Sequence, residues 1–109
     1  MALKIPFEVS VQELKEWIDT GKAFTLLDVR EPAERSIASI GGILIPLNTL
    51  PEHLRELDPD SDIIVYCRSG GRSGMAVEFM RRNGLERARN LRGGILAWSR
   101  EIDPTIRQY

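Results

Sequence analysis

Three short apolar runs, Phe24-Thr25-Leu26-Leu27-Asp28-Val29, Ile43-Leu44-Ile45 and Ile63-Ile64-Val65-Tyr66, recur along a chain of 109 residues with segments of helical character between them. Runs that are apolar at consecutive positions suit strands buried on both faces, and strands alternating with helices point to a parallel sheet covered on both sides. The intervening segments carry helix signals. Ser10-Val11-Gln12-Glu13 fits a capping box, which predicts a helix from Val11 to about Asp19 closed by Gly21. Pro51 to Leu57 reads as a second helix, and Met75, Ala76, Phe79 and Met80 recur at helical spacing ahead of an Asn83-Gly84 stop. Ala88 to Leu91 supplies one more strand, and Gly93-Gly94 opens a last apolar helical stretch with Leu96, Ala97 and Trp98. Trp17 and Trp98 fall at helical spacing from apolar neighbours, as core or core-edge residues do. The expectation is one α/β domain over 1–109, ordered from about Pro6 to Ile102, with a loose tail from Asp103 to Tyr109.

Composition narrows what such a domain can do. With 42% hydrophobic and 28% charged residues and a formal net charge of −1, the chain lacks the basic excess that nucleic-acid binding demands. No apolar run approaches the roughly 20 residues that cross a bilayer, and Met1 to Pro6 lacks the apolar core of a secretory signal, so neither a nucleic acid nor a membrane is an expected partner and a cytoplasmic location is expected. Cys67 is the single cysteine. It excludes an intramolecular disulfide, a thiolate zinc site and a two-cysteine redox cycle, so any sulfur chemistry falls to Cys67 alone, with no metal or other cofactor implied.

Cys67 follows the third apolar run directly. In Tyr66-Cys67-Arg68-Ser69-Gly70-Gly71-Arg72-Ser73-Gly74 a thiol lies between a strand end and a helix start, with glycines in the turn. Such a turn can aim successive amides inward while the following helix presents its positive end, an arrangement that stabilises an anion. Together with Arg68 and Arg72, it is expected to lower the thiol pKa below its ordinary value of about 8.5, giving a nucleophilic thiolate near an oxyanion site for a species such as thiosulfate. A cysteine ending a core strand is by itself more often a buried small hydrophobe, but two arginines, two serines and three glycines around it have no purpose in an apolar core.

These residues resemble the rhodanese-homology domains, whose active loop is a cysteine, four residues, an arginine and then serine or threonine. Cys67 to Ser73 matches throughout; Leu27-Asp28-Val29-Arg30-Glu31 is similar to the family's first signature and Leu91-Arg92-Gly93-Gly94-Ile95-Leu96-Ala97-Trp98 to its closing one. Ile40, Gly42 and Ile45-Pro46-Leu47 also fit, whereas Ser39 and Gly41 stand where the family usually has histidine and proline, a departure expected to loosen that loop. The resemblance implies a three-layer fold with a mostly parallel central sheet of about five strands and helices on both faces. It implies a thiosulfate:cyanide sulfurtransferase in which Cys67 takes sulfur from thiosulfate or a similar donor as a persulfide and passes it to cyanide, a thiol or a sulfur-carrier protein. Arg68, Ser69, Gly70, Gly71, Arg72 and Ser73 would then bind substrate. Arg68 would orient the donor anion, Arg72 either helps or is structural, turned toward the sheet or its neighbouring acids, and Ser73 either donates to the persulfide or caps the helix.

Bland readings stand beside these. Asp28 and Arg30 suit an ion pair that fixes loops, and His53, between Pro51 and Leu57, suits a solvated position rather than pairing with Cys67. A phosphatase of the related cell-cycle type would carry five residues between cysteine and arginine instead of four. A non-catalytic regulatory or binding module would usually lack the cysteine. The ending Ile102-Asp103-Pro104-Thr105-Ile106-Arg107-Gln108-Tyr109 is similar to tails of rhodanese domains fused to ubiquitin-like activating enzymes, which motivates relay to a small sulfur-carrier protein as an alternative.

Overall fold

The computed structural model describes residues 4–109, so the reading of Met1 to Leu3 lies outside the described residues. The elements run β1 (Glu8–Val9), α1 (Val11–Thr20), β2 (Thr25–Asp28), α2 (Pro32–Ile37), β3 (Ile43–Leu44), α3 (Leu50–His53), β4 (Ile63–Tyr66), α4 (Gly71–Arg82), β5 (Ala88–Leu91) and α5 (Gly94–Glu101). The five strands form one sheet in the order β1-β5-β4-β2-β3, every neighbouring pair parallel. That is the α/β architecture read from the apolar runs, with β4 at the centre.

Strand alternation assigns each residue of β4 to a face. Ile63, Val65 and then Cys67 join Leu27, Val29, Ala76, Val77 and Met80 in one core, on the side covered by α3 and α4. Ile64 and Tyr66 join Val9, Val11, Leu14, Leu91, Ile95 and Trp98 in the other, on the side of α1 and α5. Cys67 thus continues the two-residue period of its strand and faces the first turn of α4. Ser10 caps α1 with the expected reciprocal box, its hydroxyl accepting from the Glu13 amide at 3.1 Å, and Gly21 closes that helix at φ 73°.

Four local features depart from the sequence reading. The two-residue β1 and the six-residue α2 are too short to give a period, and α2 starts on a Glu31–Glu34 box with Pro32 at its first position. The expected helix from Pro51 to Leu57 is broken into α3 and flanking 3₁₀ turns, Leu47–Thr49 and Leu54–Glu56. The loop at Ser39 and Gly41 is held rather than loosened: the Gly41 amide donates to Ser39 Oγ at 2.9 Å, and Tyr66 Oη donates to the Gly41 carbonyl at 2.8 Å. Gly41 takes φ 90°, which the ring of proline, fixed near −65°, forbids. Finally, the tail is packed, with Ile106 and Tyr109 against the α1–α5 core and Ser99 Oγ donating to the Ile106 carbonyl at 2.5 Å.

A buried ion pair joins the ends of the strands. Arg30 grips Asp28 through Nε–Oδ1 at 2.9 Å and Nη2–Oδ2 at 2.8 Å, and both side chains are 0% exposed. Tyr66 Oη lies 3.1 Å from Asp28 Oδ2, Arg30 Nη2 also donates to the Ala38 carbonyl at 2.8 Å, and Arg35 Nη1 lies 3.6 Å from the same carboxylate. Burial acts to pull the Arg30 pKa down, but the bonds to Asp28 and Tyr109 outweigh it and the guanidinium stays charged. Removing one member leaves the other charged and unpaired in the core. Arg30→Met is expected to lower the unfolding free energy by about 3–5 kcal/mol in urea titration; a loss under about 1 kcal/mol would show that Asp28 is solvated by other means.

Candidate active site

The site is built from the end of β4, the turn that follows and the first turn of α4. Cys67 is 1% exposed, and three donors converge on its sulfur: the Gly70 amide at 3.1 Å, the Ser73 amide at 3.4 Å and Ser73 Oγ at 3.3 Å. Gly70, at φ 113°, turns the chain into α4. Burial acts to push the Cys67 pKa up, yet the Ser73 hydroxyl and the amides of Ser73, Gly70 and Ser69 outweigh it and hold the thiol below its ordinary value. The expected lowering is therefore present, but hydrogen bonds cause it more than the two arginines do.

Neither arginine bonds the sulfur. Arg72 places Nη1 and Nη2 on Glu34 of α2 at 2.6 and 2.8 Å. Its fork is used up in this pair, which raises its own pKa and holds Glu34 down at about 2, chiefly through the Arg72 bond. Arg68 is exposed and donates through Nε to the main-chain oxygen of Tyr109 at 2.5 Å. Ser69 and Gly71 lie on the exposed rim of the turn. Of the residues singled out in the sequence, the structure thus brings Ser69, Gly70 and Ser73 to the sulfur through amides or hydroxyl, and directs the side chains of Arg68 and Arg72 to other partners.

Three partners of the turn went unread in the sequence. Asn90, buried in β5, donates through Nδ2 to the Gly70 carbonyl at 3.1 Å and accepts from Ser73 Oγ at 2.5 Å. Ser73 has one hydroxyl proton, so Asn90 Oδ1 competes with the sulfur for it. An asparagine amid Ala88, Arg89 and Leu91 was the available signal, because amides are depleted in buried strands unless bonded. Glu34 and Tyr109 are the others, hidden by a short helix and an expected loose tail. His53 pairs with exposed Glu56 and lies 39% exposed, away from any role at Cys67.

The outer surface of the turn is fixed by α5. The Ile95 and Leu96 amides donate to the carbonyls of Cys67 and Arg68 at 3.0 and 3.1 Å. Gly94, at φ 61°, permits this approach: a Cβ there would lie 2.5 Å from the Arg68 carbonyl oxygen and 2.6 Å from that of Cys67. The Arg92-Gly93-Gly94 segment is therefore a brace for the cysteine turn. An arrangement of this kind holds a thiolate, aims donors at it and keeps water from it, which suits covalent transfer at sulfur.

Known proteins resemble the chain in both sequence and fold. The model of the rhodanese-like domain matches residues 10–101. A sulfurtransferase of Allochromatium vinosum is 35% identical, over 91% of this chain and 94% of its own length. The probable adenylyltransferase/sulfurtransferase MoeZ of Mycobacterium tuberculosis is 36% identical over 93% of this chain, which spans only 26% of that protein. The crystal structure of a rhodanese-related protein from Thermoplasma volcanium superposes with a TM-score of 0.82 at 37% identity, covering 95% of this chain and all of that one.

Two measurements bear on the electrostatics. Alkylation of Cys67 by iodoacetamide across pH is expected to titrate below the ordinary thiol value of about 8.5, and Ser73→Ala should move the midpoint upward; an unmoved midpoint would leave the amides alone responsible. For Glu34, which titrates at about 2 in the fold and near 4.3 unfolded, the Arg72 pair contributes fully above about pH 4.5 and is lost as pH falls toward 2. Acid denaturation of Glu34→Gln should therefore differ from wild type above that window and converge with it below.

Proposed function

Because the chain belongs to the rhodanese-like family of sulfurtransferases, we propose that it moves sulfane sulfur from thiosulfate, or a similar donor anion, to a thiophilic acceptor through a persulfide on Cys67. The observation that carries this reading is the convergence of Gly70 and Ser73 donors on a buried, lowered-pKa thiol. In the first step the Cys67 thiolate attacks the outer sulfur of thiosulfate; the sulfur–sulfur bond of the donor breaks and sulfite leaves with the electron pair. The product is a persulfide anion. The amides of Gly71 and Arg72, which begin α4 and so have no acceptor within the helix, suit its terminal sulfur. In the second step cyanide or a thiolate attacks that sulfur, the bond to Sγ breaks, and the Cys67 thiolate returns. Charge balances in both halves without metal or cofactor.

The short spacing suits one sulfur atom better than a phosphate. Only Arg68, Ser69, Gly70 and Gly71 separate Cys67 from Arg72, and Arg72 spends its fork on Glu34, which disfavours the phosphatase reading, where an arginine must grip phosphate oxygens. A reducing compartment such as the cytoplasm suits chemistry carried by one free thiol. Similarity to MoeZ, whose name joins adenylyl and sulfur transfer, favours as second reading an acceptor that is the adenylated C-terminus of a small sulfur-carrier protein.

Intact mass after incubation with thiosulfate, without reductant, should show one added sulfur that Cys67→Ser lacks, and added cyanide should yield thiocyanate with stoichiometric sulfite. Absence of added sulfur on the wild-type protein would remove thiosulfate as donor and bring forward a protein persulfide donor or the non-catalytic binding module.

A further inference from the structure

The segment after α5 returns to the mouth of the cysteine turn, where Tyr109 meets Arg68 directly and Arg72 through their shared partner Glu34. Its phenol accepts from Arg30 Nη1 at 2.8 Å and donates to Glu34 Oε2 at 2.8 Å, linking the buried Asp28–Arg30 pair to the Glu34–Arg72 pair. Its main-chain oxygen accepts from Arg68 Nε, and its ring lies 5.4 Å from the Arg68 guanidinium carbon. Arg68 and Arg72 are thereby made unlike. Both terminal amino groups of Arg72 are on Glu34, whereas those of Arg68 have no hydrogen-bond acceptor among the described residues. A fork with both amino groups free, on the exposed residue next to the nucleophile, is the group a planar or tetrahedral oxyanion takes bidentately.

We propose that Tyr109 is a positioning residue, which holds the Arg68 guanidinium by Nε and by its ring so that the Nη1–Nη2 fork is presented to the oxygens of the donor anion. The inference rests on the reading that the site takes an anionic sulfur donor. An unheld arginine loses side-chain freedom when it binds; one already docked loses less, so affinity for the anion is raised without a contact between Tyr109 and the anion. The phenol has a separate task, anchoring the tail on Arg30 and Glu34 so that its main-chain oxygen stays in place. Because the holding groups at Arg68 are that oxygen and the ring, Tyr109→Phe should keep most of the effect while Tyr109→Ala loses it.

Two assays separate this inference from the reading beneath it. Thiosulfate binding to Cys67→Ser protein by isothermal titration is expected to weaken about tenfold or more with Arg68→Ala, which removes the fork, and about three- to fivefold with Tyr109→Ala, which leaves the fork but frees the side chain, with no further loss from Tyr109→Ala once Arg68→Ala is present. In turnover, Tyr109→Ala should raise KM for thiosulfate by the same factor and leave kcat within about twofold, while Tyr109→Phe shows a smaller rise. Unchanged binding and KM in Tyr109→Ala, or losses that add to those of Arg68→Ala, would overturn the proposal, as would a Cys67→Ser protein that binds no thiosulfate at all. If wild-type protein forms no persulfide but Cys67→Ser still binds thiosulfate in a Tyr109-dependent way, the sulfurtransferase reading fails and the positioning role stands.

Discussion

A turn that points its amides inward has to point its carbonyls outward, and here two amides at the start of α5 take them. Ile95 and Leu96 donate to the carbonyls of Cys67 and Arg68, the two residues at which the strand becomes the turn. An unpaired buried carbonyl costs about 1–3 kcal/mol, so without these bonds the turn would relax toward the solvent and its inward amides would lose their common focus. The focus is the sulfur. The position of the thiol, the lowering of its pKa and the course of the chain into α4 all depend on that docking.

Bracing at the other sides of the turn follows the same logic of satisfied polar groups. From the sheet, Asn90 holds the Gly70 carbonyl and the Ser73 hydroxyl. From α2, Glu34 holds Arg72, and behind it the Asp28–Arg30 pair with Tyr66 ties β2, β4 and the loop at Gly41 together. These contacts come from elements far apart in sequence, and each leaves a buried donor or acceptor exposed to loss if its partner is removed. Rigidity around the sulfur is thus distributed, and of the two arginines in the cysteine turn the one whose fork has no acceptor among the described residues, Arg68, is the one in contact with the tail.

The order of elements and their parallel pairing could be read from the amino acids because apolar runs and capping residues act locally. Ser10 and Glu13 sit three apart and find each other whatever the rest of the chain does. Cys67 could be read because its neighbours, Gly70, Gly71 and Ser73, are unsuited to a core. What escaped notice was what depends on distant partners. Asn90 looks like a defect in an apolar strand until Gly70 and Ser73 are placed against it, and Tyr109 looks like the end of a polar tail until Arg30, Glu34 and Arg68 surround it. The expected share of the two arginines in lowering the thiol pKa rested on proximity in sequence to Cys67, whereas Glu34, thirty-odd positions earlier, claims Arg72, in line with the alternative that it turns to a neighbouring acid.

The strand order β1-β5-β4-β2-β3 carries a consequence for how the chain emerges during synthesis. Cys67, Gly70 and Ser73 leave the ribosome before Asn90 and before the Ile95 and Leu96 amides that complete their surroundings, and β1, made first, has as its only neighbour β5, made late. A nascent chain ending in α4 holds its cysteine in a turn with unclaimed carbonyls and a sheet lacking one edge. Since non-local strand pairing closes only when its later partner arrives, the surroundings of Cys67 are completed by β5 and α5, long after the cysteine itself has been made.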